Sequence, residues 1–176
     1  MTRYIKKVEQ QQISGFTVLY DKREVGVGKK PWLFLADYWA MKKVHLKTGD
    51  YTIEGLEKYI AIEKKSGINE LLRDLAGSYR ETFIRCLERL SKYPVKCIIV
   101  ESDLKSSNVD SLIHVLKKRS NGKAKLTAET IYYWTSEIMC KYGVPILFVD
   151  KGTMRKVLPF VFESAYRKAK EIKKCV

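Results

Sequence analysis

Two histidines, His45 and His114, are all the imidazole that this 176-residue chain holds. They share no ligand spacing, so a histidine metal cage has nothing to build on, and no Ser-His-Asp or Cys-His arrangement stands out. The four cysteines (Cys86, Cys97, Cys140 and Cys175) form no C-x-x-C pair and read as reduced, mostly buried thiols instead of zinc ligands. Long apolar runs are missing too: none approaches the ~18 residues of a membrane span. The start, MTRYIKKVEQQQ, lacks the apolar core of a signal peptide. The expectation is an intracellular protein without a membrane partner, cytoplasmic in a prokaryote or virus and nuclear in a eukaryote. The loop DKREVGVGKK contains G-x-G but no third glycine and no strand-turn-helix setting, which excludes a dinucleotide cradle. There is no internal repeat and no low-complexity linker.

Acidic residues are the other shortage. Twenty Asp and Glu face thirty-four Lys and Arg, a formal charge of +14. Such an excess favours a polyanionic partner, because each phosphate neutralised releases counterions. Nucleic acid is the first expectation.

The length suits one domain with a single core. Residues 1–14 form a polar arm, and 15–176 read as the domain. FTVLY (16–20) is a buried strand that stops at Asp21. PWLFLADYWAMKK (31–43) carries apolar residues on a helical period, with Pro31 in the first turn. VHLKTGD, YTIEG and KYIAIEKK alternate in short pieces, as a three-stranded meander turning at Glu54-Gly55. INELLRDLAGS and YRETFIRCLERLSKY predict two helices broken near Gly77. KCIIVES is a strand buried on both faces, and SSNVDSLIHVLKKRSNGKAK opens as a helix and ends in a basic loop. LTAETIYYWTSEIMCKYG is a capped helix stopping at Gly143. VPILFVD is the last strand, and the last helix follows it. The order describes an α/β sandwich with a mixed central sheet. Trp32, Trp39, Tyr132, Tyr133 and Trp134 read as packing residues.

Three carboxylates fall at strand ends or turns: Asp21, Asp50 and Glu63. Asp50 and Glu63 lie on sequential strands whose pairing brings their oxygens to one end of the sheet. Clustered carboxylates repel one another, which a hard cation such as Mg²⁺ or Mn²⁺ relieves. Lys65, two residues beyond Glu63, points to the same face, and Lys64 to the opposite one. An ammonium beside a metal-binding carboxylate suits phosphoryl chemistry: it orients the attacking water or stabilises charge on the pentacoordinate phosphorus.

Read together, VLYDKRE, LKTGDYTI, AIEKKSGINELL and CIIVESD resemble the nuclease domain of the XPF family of structure-specific endonucleases. The blocks appear in that family's order and cover the first 105 residues or so. The resemblance implies a restriction-endonuclease-like fold: α/β, with a mixed central sheet flanked by helices. It implies that Asp21, Asp50 and Glu63 bind Mg²⁺ or Mn²⁺, that Lys65 is catalytic, and that Arg23 and Glu24 complete the first block. Lys64 stands where the family has Arg, keeping the charge without the bidentate fork. Asn69 stands in the register of a family Asp: either Glu70, one residue later, replaces that carboxylate, or its role is absent here. Arg80 is implied as a phosphate contact, and Glu101 matches the glutamate of the Ile-Glu strand, where it reads equally as a structural charge.

Family members carry a tandem helix-hairpin-helix module after this domain, and no such pattern follows here. Duplex binding is therefore expected from the domain itself, a partner, or a homodimer or heterodimer. Candidate DNA contacts are Arg23, Lys64 and Arg80, the basic tract Lys117, Lys118, Arg119, Lys123 and Lys125, and the last helix. The resemblance thus implies a metal-dependent DNA endonuclease acting at branched, flapped or junction DNA, as in repair or recombination. A non-catalytic DNA-binding subunit is the alternative. An RNA-directed role stays open, since no feature reads a 2′-hydroxyl.

Overall fold

The computed structural model describes residues 15–25, 31–76, 79–102, 110, 113–114, 117–118 and 127–175. The arm at 1–14 and Arg119, Lys123 and Lys125 lie outside these. Six strands form one sheet: β1 (Thr17–Asp21), β2 (Ala40–Val44), β3 (Tyr51–Ile53), β4 (Ile60–Lys65), β5 (Val95–Val100) and β6 (Ile146–Phe148). Their order is β2-β1-β3-β4-β5-β6. The pairs β1–β3 and β3–β4 are antiparallel, and the other three are parallel. Helices α1 (Ile68–Ala76), α2 (Arg80–Ser91), α3 (Ala128–Tyr142) and α4 (Lys151–Lys174) complete the described elements. The mixed α/β sheet is the architecture that the alternating and helical periods predict.

One segment departs from expectation. Residues 31–43 are not a helix but a 3-10 turn, Leu33–Asp37, followed by strand β2. Trp32, Leu35 and Trp39 carry the three- and four-residue spacing of a helix, and a tight turn supplies that spacing equally well. The turn closes through Leu35 N–H to Trp32 O and Tyr38 N–H to Leu35 O, each 3.0 Å. Both tryptophans then bury their rings in the core. The chain beyond pairs parallel to β1, from Thr17 opposite Ala40 to Asp21 opposite Val44. Exposed Lys42 and Lys43 protect this sheet edge from further pairing. The meander is accordingly β1, β3 and β4, and VHLKTGD is mostly bends leading into it.

Strand β4 sets the two sides of the molecule. Ile60 and Ile62 pack with Tyr51, Ile53 and Ile99 against Leu158 and Phe162 of α4. Ala61 faces the other way, with Ile98 and Val100, against Leu71 of α1 and Phe83 and Leu87 of α2. A fully buried isoleucine contributes roughly 1.5–3 kcal/mol, so a slip by one residue, which exchanges the faces, is strongly disfavoured. Period two then sends Glu63 and Lys65 to the α1–α2 side and Lys64 to the α4 side.

Among the cysteines, Cys86 and Cys97 are half-buried, whereas Cys140 and Cys175 are exposed, which corrects the expectation of mostly buried thiols. Tyr132 and Tyr133, expected to pack, are likewise exposed on α3. No helix among the described residues is long and apolar enough to cross a membrane.

Candidate active site

Gly49 delivers Asp50 to the sheet. Its φ of +74° suits glycine, and a Cβ there would lie 3.0 Å from the Ile62 carbonyl oxygen. The missing side chain lets the chain lie against β4, where Asp50 N–H donates to Ile62 O at 2.8 Å. On the other side, Asp21 N–H donates to Asp50 O at 2.8 Å. The Asp50 backbone is thus tied to both neighbouring strands, and its Oδ2 accepts from Lys64 N–H at 2.8 Å.

Asp50, Glu63 and Lys65 line one cleft of about 220 Å³. Burial first, then the charges of Glu63 and Glu24, push the Asp50 carboxyl up to about 8. Lys65 Nζ lies 3.0 Å from Glu63 Oε1 and 2.9 Å from Asp74 Oδ2. Burial works to lower the Lys65 pKa, but Glu63 and Asp74 outweigh it and hold the ammonium well above its ordinary range. A buried carboxyl beside a second carboxylate is the arrangement that a hard cation relieves, so Asp50 and Glu63 are the residues that could hold Mg²⁺ or Mn²⁺.

Asp21 is not part of that pair. It is fully buried, yet it does not line the cleft. Its Oδ1 accepts from Arg23 N–H and Nε at 2.7 and 2.6 Å, and its Oδ2 from Leu46 N–H at 2.6 Å. Burial raises its pKa, but these hydrogen bonds, Arg23 foremost, outweigh it and leave the carboxyl below its usual range. Among the described residues, no group of three His, Cys, Asp or Glu side chains is gathered as a metal site. Of the three expected metal carboxylates, Asp50 and Glu63 line the cleft and Asp21 does not. Asp21 instead fixes Arg23, which does line the cleft.

Lys64, expected as a DNA contact, lies on the opposite side of the sheet and is 6% exposed. Its Nζ sits 3.4 Å from Glu24 and 3.5 Å from Glu101. Glu101 also accepts from Trp32 Nε1 at 2.6 Å, and the Trp32 ring stacks on Tyr51. This buried network fixes the end of β4 from behind. Glu101 and Glu24 are thus structural charges. Arg80 sits off the cleft: its Nη1 donates to Leu75 O at 3.0 Å and its guanidinium lies over Trp134. Lys117 and Lys118 are exposed. Glu70, weighed as a replacement for the carboxylate at Asn69, accepts from Ser66 N–H through its Oε2 at 2.8 Å and does not line the cleft.

Besides Glu63, the carboxylate that reaches Lys65 is Asp74, a residue that the sequence did not single out. It lies among Leu71, Leu72 and Leu75, all buried. An acid on that inner face requires a cation, and this was the available signal. The face of α2 was missed as well: Thr82, Cys86 and Arg89 recur at helical spacing and line the cleft. Burial, then Glu63, pushes the Cys86 thiol up to about 12, so it stays protonated.

No family model and no curated protein matches this sequence. Solved structures do. XPF from Aeropyrum pernix shares the fold at a TM-score of 0.56 and 20% identity, covering 87% of this chain and 61% of that one. The same protein in complex with DNA gives 0.57 and 18%, covering 89% and 66%. This chain spans less than two thirds of either. The likeness establishes the restriction-endonuclease-like fold that the four sequence blocks implied.

Proposed function

We propose that this chain is a metal-dependent DNA endonuclease that hydrolyses phosphodiesters at branched, flapped or junction DNA. The carrying observation is the convergence of Asp50, Glu63 and a doubly anchored Lys65 in one cleft of a chain with charge +14. The DNA-bound XPF neighbour supports the choice of polymer.

Asp50 and Glu63 would hold Mg²⁺ or Mn²⁺. When bound, the ion supplies Lewis-acid polarisation of the phosphate and a more acidic water. The protein's own groups do the rest. Lys64 N–H fixes the Asp50 carboxylate from the strand backbone. Lys65, kept cationic by Glu63 and Asp74, acts as a hydrogen-bond donor and a fixed positive charge toward the developing dianion, not as a base. Arg23, Lys47 and Arg89 line the same cleft and attract the flanking phosphates.

The engagement of Asp21 by Arg23 and Leu46 favours one second reading, a DNA-binding module without catalysis. Calorimetric titration with Mn²⁺ separates the two. The nuclease reading requires binding that Asp50→Asn and Glu63→Gln both abolish; a chain that takes up no Mn²⁺ is the silent module.

A further inference from the structure

The catalytic groups occupy the sheet side of the cleft, and α2 forms much of the other wall. Tyr79, at the start of that helix, lines the cleft and is 54% exposed. The Arg73 guanidinium lies 5.3 Å from the ring centre. From Tyr79 the polar positions Thr82, Cys86 and Arg89 follow at spacings of three and four, one face of the helix. At 1.5 Å per residue, Arg89 stands roughly 15 Å from Tyr79.

The cations of the cleft differ in their freedom. Arg23 is paired to Asp21, and Lys65 to Glu63 and Asp74. Lys47 and Arg89 make no ion pair among the described residues, and they reach the cleft from the bend before Gly49 and from α2. The helix wall therefore presents an accessible aromatic ring at one end and an uncommitted guanidinium at the other, beside the proposed reacting site.

We propose that this wall is a track for an unpaired DNA strand, with Tyr79 stacking on an exposed base and Arg89 holding a phosphate further along. The inference rests on the DNA reading above. In a continuous duplex each base is stacked on its neighbours and offers no free face, so only an unpaired nucleotide can use the ring. Stacking of this kind depends little on base identity. Tyr79 would thus select DNA with an unpaired nucleotide beside the cleavage point, whatever its sequence, while Arg89 adds affinity for any strand.

The test is fluorescence anisotropy on the full chain in EDTA, so that nothing is cut. The ligands are a duplex with a single-stranded flap, the same flap with abasic nucleotides, and a fully paired duplex. Tyr79→Ala should weaken the flap complex about tenfold, within the roughly five- to hundredfold range of base–aromatic stacks, and leave the paired duplex unchanged. Tyr79→Phe should restore the affinity, since the hydroxyl is not needed. Abasic nucleotides should weaken the wild type by the same factor and Tyr79→Ala not at all. Arg89→Gln should weaken all three ligands and flatten the salt dependence by roughly one phosphate contact. Equal weakening of flap and duplex by Tyr79→Ala, or an abasic penalty that survives in that variant, overturns the track. Absence of binding to all three DNAs overturns the DNA reading itself.

Discussion

Asp74 offers the sharpest test of how the site is held. It is 8% exposed, Lys65 is 5% exposed, and 2.9 Å separates their charged atoms. Removing one partner of a buried pair generally costs about 3–5 kcal/mol, much of it from the charge left behind. Here Glu63 remains 3.0 Å from the ammonium and keeps part of the compensation. Asp74→Ala should therefore fall at or below the lower limit, about 2–3 kcal/mol. For a chain of this length that lowers the Tm by roughly 4–12 °C. Asp74→Asn, which keeps an oxygen acceptor, should lose about half as much. Because the Lys65 pKa is raised, its contribution is complete below the unfolded value and disappears only as pH rises through the higher folded one. The loss should thus be constant between pH 6 and 9. Urea unfolding of Asp74→Ala, Lys65→Met and the double variant supplies the cycle. A coupling of about 1 kcal/mol or more is expected; strictly additive losses would refute the clamp.

Three further outcomes follow from the same geometry. Gly49→Ala forces a left-handed backbone and a Cβ 3.0 Å from the Ile62 carbonyl oxygen, so a loss of about 2–3 kcal/mol is expected from chemical denaturation. The Asp50 carboxyl, raised to about 8 by burial and its acidic neighbours, binds a proton that the unfolded chain has released above its ordinary 3.8. Without a divalent cation, its contribution to stability should therefore decline between these values by up to about 1.4 kcal/mol per pH unit, and Asp50→Asn should remove that slope in pH-dependent melting. Lys64→Met removes the cation that lies 3.4 Å from Glu24 and 3.5 Å from Glu101. It should lower stability by about 3–5 kcal/mol, while the salt dependence of DNA binding by the folded fraction stays unchanged.

Strand β4 was legible because one alternation decides everything about it: Ile60 and Ile62 to one core, Ala61 to the other, and hence Glu63 and Lys65 away from Lys64. Gly49-Asp50 was legible for a similar reason, a local turn feeding a neighbouring strand. Asp74 was not, because its partner lies nine positions back on a different element, and spacing along a helix does not say which strand the helix covers. The surroundings of Asp21 were equally hidden. Its position at a strand end suited a metal ligand, but the hydrogen bonds that engage it come from Arg23 and from Leu46, and Leu46 lies twenty-five residues away. The stretch 31–43 was misjudged because a 3-10 turn and the first turns of a helix place Trp32, Leu35 and Trp39 alike.

Cleavage itself is the most direct measurement. End-labelled flap, fork and four-way DNA should be incubated with the chain in Mg²⁺ or Mn²⁺, beside Asp50→Asn, Glu63→Gln and Lys65→Ala. The expected result is strand cleavage near the branch by the parent, lost by about a hundredfold or more in each variant, as for removal of a group that stabilises transition-state charge. An inert parent, or variants that cut as well as it does, would contradict the assignment of this cleft as the reacting site.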